Sequence, residues 1–165
     1  MDRCEECGFA YDLTEAASAA SSIVAGVAEF AALLGDRSAD LRSRGEPATW
    51  SPLEYGCHVR DVLLVQRERV LAARRTDRPS FSPMGRDERA GHDGYADQQP
   101  ADVARQLDDA ARLFTNVLNR LSSEDWDRDL MYNYPEPAAR SLRWVAVHTV
   151  HEVRHHLLDV HRQLA

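Results

Sequence analysis

Trp50-Ser51-Pro52-Leu53-Glu54-Tyr55-Gly56-Cys57-His58-Val59-Arg60-Asp61 holds the clearest helix start in the chain. Ser51 suits an N-cap, because its hydroxyl oxygen can accept a bond from an amide in the first turn. Pro52 stands at the first helical position, where a missing N–H costs nothing, and Glu54 completes a capping box. The helix is expected to run to about Arg75. It carries His58 two turns in.

Further helices are expected on either side of this one. Asp12 followed by Glu15 is a capping-box pattern that opens a helix through about Leu34, ended by Gly35. Its Ile23, Val27, Phe30 and Leu34 form a single apolar stripe. Downstream, Thr76 to Gln99 is a connection rich in Pro, Gly, Asp and Ser, too long for an adjacent hairpin. Pro100-Ala101-Asp102 opens a third helix that buries Val103, Leu107, Ala110, Ala111, Phe114, Val117, Leu118 and Leu121. Ser122 to Trp126 reads as one capped turn, Arg128 to Arg140 as an extended loop, and Ser141 as the start of a last helix. No β-alternating segment stands out. The expected fold is all-α: a four-helix bundle with a long crossover between the second and third helices.

Composition sets limits on function. A chain of 165 residues fits one domain with a core of its own. No run approaches ~18 uninterrupted apolar residues, so no membrane span is expected. The opening Met-Asp-Arg-Cys-Glu-Glu-Cys lacks a basic region leading into an apolar stretch, so a cytoplasmic location is expected. A net charge of −7 argues against nucleic acid as partner. Arg67, Arg69, Arg74, Arg75 and Arg78, interrupted by Glu68 and Asp77, read as a solvated helix end. All 20 basic residues are Arg, a bias compatible with a GC-rich coding genome. The small-residue run Ala16, Ala17, Ala19 and Ala20 would permit close packing, as in a homodimer.

The last helix carries the chemistry. Five of the seven histidines lie between His148 and His161. At about 100° per residue, His148, His151, Glu152, His155, His156 and Asp159 fall within roughly 140° of the helix circumference. A solvated face rarely concentrates imidazole in this way. Imidazole and carboxylate spaced i, i+4 let one helix offer two ligands to one metal ion. A third ligand must come from elsewhere, and His58 is the candidate, since His92 sits in the Gly-rich connection.

A tryptophan, an N-cap, a histidine eight residues after that Trp, a long crossover and a final-helix His/Glu cluster together resemble the DinB-like superfamily. The resemblance runs from about Asp12 to the end of the chain. It implies a four-helix bundle that binds a divalent metal through one side chain on the second helix and two on the last. The superfamily includes thiol-dependent isomerases and S-transferases that use mycothiol or bacillithiol. On this resemblance His58 matches the second-helix ligand. The Glu-x-x-x-His pattern of the mycothiol-dependent isomerase branch falls on Glu152 and His156. His151 and His155 have the same spacing and are the rival pair, and mixed sets are open as well. Zn²⁺ suits two imidazoles and a carboxylate, and Ni²⁺, Fe²⁺ and Mn²⁺ are compatible with the same ligands. Asp159, Asp61 and the unused histidines are candidates to hold the ligand rings in place.

Cys4-Glu5-Glu6-Cys7-Gly8-Phe9 is half of a zinc ribbon, a weak second metal site on Cys4 and Cys7 that lacks a second C-x-x-C. Cys57, His92 or a second chain would have to complete it. Residues 1–11 are read as an N-terminal extension carrying this motif, and residues 12–165 as the bundle domain. Cys57 is expected to be a small buried hydrophobe. Trp126, Tyr132, Tyr134, Trp144 and Tyr55 are possible pocket walls. The functional expectation is a metal-dependent S-transferase, isomerase or hydrolase acting on a small molecule, with a low-molecular-weight thiol such as mycothiol as possible co-substrate. The alternative is a non-catalytic metal-binding or stress-associated interaction protein on the same bundle.

Overall fold

The computed structural model describes residues 3–165. Four long helices dominate it: α1 (Ala19–Gly35), α2 (Pro52–Arg75), α4 (Pro100–Leu118) and α6 (Leu142–Leu164). The crossover between α2 and α4 holds β1 (Ser80–Phe81) and α3 (Arg86–His92). Between α4 and α6 come α5 (Ser123–Trp126), β2 (Asp129–Asn133) and β3 (Pro137–Ser141). The helices α1 and α2, consecutive in the chain, stand across the bundle from each other, and each packs against both α4 and α6. This arrangement places the second turn of α2 opposite the middle of α6.

The helix ends follow their caps. Ser51 accepts from the Glu54 amide, and the Glu54 carboxylate accepts from the Ser51 amide at 2.8 Å, the capping box read from the sequence. Glu54 also receives the Arg44 guanidinium, at 2.9 Å from Nε, which anchors the α1–α2 linker. The first helix departs from expectation. Asp12 caps Thr14 rather than closing a box with Glu15, and the first turn, Leu13–Ser18, is a 3₁₀ helix. The apolar stripe Ile23, Val27, Phe30 and Leu34 is buried as expected, against Leu53, Leu63, Leu107, Phe114 and Val153 among others. At Gly26, α1 comes so close to α6 that a Cβ would lie 2.5 Å from Val153 Cγ1.

The structure corrects one expectation and adds detail to two others. The segment read as a loop from Arg128 to Arg140 is a hairpin of β2 on β3, with Met131 opposite Ala139, and β1 adds to it in parallel. The expected four-helix bundle is present, with this small sheet added in its connections. Ala16 and Ala19 are 1% exposed, so half of the small-residue run is used inside the chain. The stretch Leu13–Gly35 is long and apolar enough by composition to cross a membrane. It contains no long uninterrupted apolar run, because Ser and Glu punctuate it while Ala and Val raise its mean hydropathy. Its stripe faces the bundle core.

Candidate metal centre

The capped start of α2 fixes where His58 points. Its side chain is buried, with the Trp50 ring centred 5.0 Å away. On α6, Glu152 and His156 lie one turn apart and face it. Glu152 Oε2 is 3.9 Å from His58 Nε2 and 3.8 Å from His156 Nε2. One ligand atom from each of the three lies within 4.8 Å of the other two. Two metal–ligand bonds of ~2.0–2.2 Å span at most ~4.4 Å, so the 3.8 and 3.9 Å separations of Glu152 from the two imidazoles suit donors to one ion. His156 Nδ1 is 3.0 Å from Asp159 Oδ2, and this bond turns Nε2 toward Glu152. His58 Nδ1 is buried with no hydrogen-bond partner. The donor set, two imidazoles and a carboxylate, fits a divalent cation.

Charge is concentrated here. Burial works to raise the Glu152 pKa, yet bonding to His151, His156 and His58 holds it well below the ordinary carboxylate value. Burial lowers the His156 pKa, but Asp159 and Glu152 outweigh it and bring it to about 9. Burial dominates at His58 and lowers it. It also brings His148 down to about 4, so that ring is neutral at pH 7. Glu152 is thus a fixed anion beside the neutral His148 ring, while His156, protonated at pH 7 without an ion, must give up its proton to ligate one.

The other candidates fall into neighbouring groups on the same arc of α6. His151 and His155 stand with Cys4 and Cys7, and His58 groups with Glu152 and His156. The completion of the cysteine pair by Cys57 or His92 is not observed. Cys57 is buried in the core as expected of a small hydrophobe, with its thiol directed at Tyr95 O and Gln98. His148 and His151 form a further group with Glu152, and both bond the Tyr11 hydroxyl. Asp61 does not support His58: it pairs with Arg60 at 2.8 Å and accepts from Tyr95 Oη at 2.6 Å. Tyr55 stacks 5.0 Å from the His156 ring without lining the cleft.

The three residues lie at one end of a cleft of about 440 Å³. Tyr132 and Tyr134 from the hairpin line one side, and Met84 to Arg86 from the crossover line another. Gln66 and Arg69 line the cleft from α2. Arg69 was not recognised in the sequence. It is 5% exposed, not part of a solvated helix end. Its guanidinium lies 4.5 Å over the Tyr132 ring and donates to Ser82 O at 3.1 Å, and Nε has no partner. No carboxylate among the described residues pairs with it. The overlooked signal is spacing: Arg69 follows His58 by eleven residues, three helical turns, and so shares its face.

Comparison with known proteins agrees with this architecture. Residues 23–160 match the model of the DinB superfamily, and the chain belongs to that superfamily. Among solved structures it is similar to YfiT from Bacillus subtilis, described as "a probable metal-dependent hydrolase with an unusual four-helix bundle topology". That match has a TM-score of 0.73 at 13% identity and covers 92% of this chain and 86% of that one. It is also similar to the mycothiol-dependent maleylpyruvate isomerase, with a TM-score of 0.72 at 14% identity, over 90% of this chain but only 60% of that one. At these identities the likeness is one of fold. No curated protein matches the chain by sequence.

Proposed function

We propose that this member of the DinB superfamily holds one divalent cation on His58, Glu152 and His156, and that the cleft is the active site of a metal-dependent transferase, isomerase or hydrolase. The observation that carries the reading is the convergence of His58 Nε2, Glu152 Oε2 and His156 Nε2 at one end of an open cleft. Three protein ligands leave coordination positions free, as a catalytic site requires. A cation bound there supplies Lewis acidity and lowers the pKa of a coordinated thiol or water.

The rest is the work of this chain's own side chains. Asp159 fixes the His156 ring, and Trp50 and Tyr55 pack against His58 and His156 to restrict their rotation. Arg69, charged and without a carboxylate partner, offers a site for an anionic group on the substrate. The substrate class we favour is therefore a small electrophile bearing a carboxylate. The similarity to a mycothiol-dependent isomerase supports a low-molecular-weight thiol such as mycothiol as co-substrate, and two imidazoles with a carboxylate suit Zn²⁺ as the metal.

Metal analysis of full-length protein, paired with His58→Ala and His156→Ala, tests the centre. Each variant is expected to lose one ion per chain, and full retention in both would show that the ligands are wrong. Conjugation of a reactive electrophile, assayed with a panel of thiols including mycothiol, tests the transferase and isomerase readings, and ester and amide panels test hydrolysis. A metal-loaded protein inactive in all of these would leave the non-catalytic alternative.

A further inference from the structure

The motif Cys4-Glu5-Glu6-Cys7-Gly8-Phe9 folds into a tight knuckle. The Cys4 amide donates to Phe9 O and the Gly8 amide to Cys4 O, both at 2.8 Å. Gly8 has φ +73°, a left-handed conformation suited to glycine, and Arg3 bridges Ala10 in antiparallel fashion. The turn brings both thiols to one side, and no disulfide joins them. His151 and His155 of α6 stand opposite, with Cys4 Sγ 3.8 Å from His155 Nδ1. One ligand atom from each of the four residues lies within 4.8 Å of the other three.

Each imidazole also has one nitrogen already occupied. His151 Nδ1 lies 2.9 Å from Tyr11 Oη, while its Nε2 is buried and has no hydrogen-bond partner. His155 Nε2 lies 3.3 Å from Glu6 Oε2, leaving Nδ1 toward Cys4. Imidazoles that ligate a metal are held in this way, by an oxygen acceptor on the opposite ring nitrogen.

We propose that Cys4, Cys7, His151 and His155 form a second, closed metal site that binds Zn²⁺ and clamps the N-terminal knuckle onto α6. Two thiolates and two imidazoles, spaced C-x₂-C and H-x₃-H, are a tetrahedral zinc set. The thiolates select against Mg²⁺, Ca²⁺ and Mn²⁺. Four protein ligands leave no open position, so the site is structural. It shares no ligand with the His58 centre: residues 151 and 155 serve one cluster and residues 152 and 156 the other.

Two measurements on the full chain test this. Cobalt-reconstituted wild-type protein should show thiolate-to-cobalt charge-transfer absorption. The Cys4→Ser/Cys7→Ser double variant should lose that band and one zinc ion per chain, whereas His58→Ala should keep the band. In wild-type protein, alkylation of Cys4 and Cys7, followed peptide by peptide, should be several-fold slower with zinc than after chelation. This second assay needs no variant to fold. A cobalt spectrum without a thiolate band, equal alkylation rates with and without zinc, or a Cys4–Cys7 disulfide in protein purified with zinc would each overturn the proposal. The two centres fail in different variants, so failure of one is distinguishable from failure of the other.

Discussion

Asp159 accepts a hydrogen bond from His156 at 3.0 Å, and this contact aims the opposite ring nitrogen at Glu152. Asp159→Asn keeps the shape but weakens the acceptor. It should lower metal affinity at the His58 centre by about 10–100-fold, the usual effect of losing such a support. Competition with a chromophoric chelator measures it. Unchanged affinity would mean that the Asp159 bond does not orient a ligand.

Arg69 should govern recognition of anionic ligands. Arg69→Gln removes the charge while retaining hydrogen-bonding capacity near Ser82 and Tyr132. Binding of a small dicarboxylate such as malonate to metal-loaded protein should weaken by about tenfold, equivalent to ~1.4 kcal/mol. Calorimetric titration reads the change, and a neutral ligand of similar size should show none.

Glu54 makes stability depend on pH. Burial works to raise its pKa, but Arg44 and the Ser51 amide outweigh that and hold it below its ordinary 4.5. A carboxylate depressed in the folded state contributes stability that is full above its unfolded pKa and is lost as pH falls through the folded value. Glu54→Gln should therefore cost about 1–3 kcal/mol at pH 7, and its deficit relative to wild type should shrink as pH falls below about 4.5. Urea denaturation at several pH values checks both the size and the direction.

Gly26→Ala should destabilise the protein even though alanine favours helix by ~1 kcal/mol. The added methyl meets Val153 Cγ1 at 2.5 Å, and a β-branched side chain within a helix has no free rotamer to yield. A loss of about 1–3 kcal/mol is expected, read as a lower Tm. A Tm at or above wild type would mean that α1 and α6 can separate at little cost.

The helices were legible because their signals are local. Ser51-Pro52-Leu53-Glu54 specifies a helix start without reference to the rest of the chain, whereas helical spacing alone leaves Glu152/His156 and His151/His155 equivalent, and only the DinB-like resemblance favours the former with His58. The hairpin was not legible. In β2 only Leu130 and Tyr132 are buried, too short an alternation to stand out, and Pro135 and Pro137 beside it suggest a loop. The partners of Cys4 and Cys7 were out of reach for another reason: His151 and His155 lie about 150 residues away, and only tertiary packing brings them in. Arg69 was misread because a run of five arginines looks uniform in sequence, while helical rotation buries one and exposes its neighbours.

The short parallel pairing of β1 with β2 has a consequence for which molecules can enter. Met131 N donates to Pro79 O at 2.9 Å, and Asn133 Nδ2 donates to Phe81 O at 2.8 Å and Ser80 Oγ at 3.0 Å. These bonds stitch the crossover segment to the hairpin, the two stretches that border the cleft. Widening the gap between them means breaking the stitches, at ~1 kcal/mol each. These bonds therefore hold two walls of the cleft at a set spacing, which any ligand of the proposed centre would have to fit.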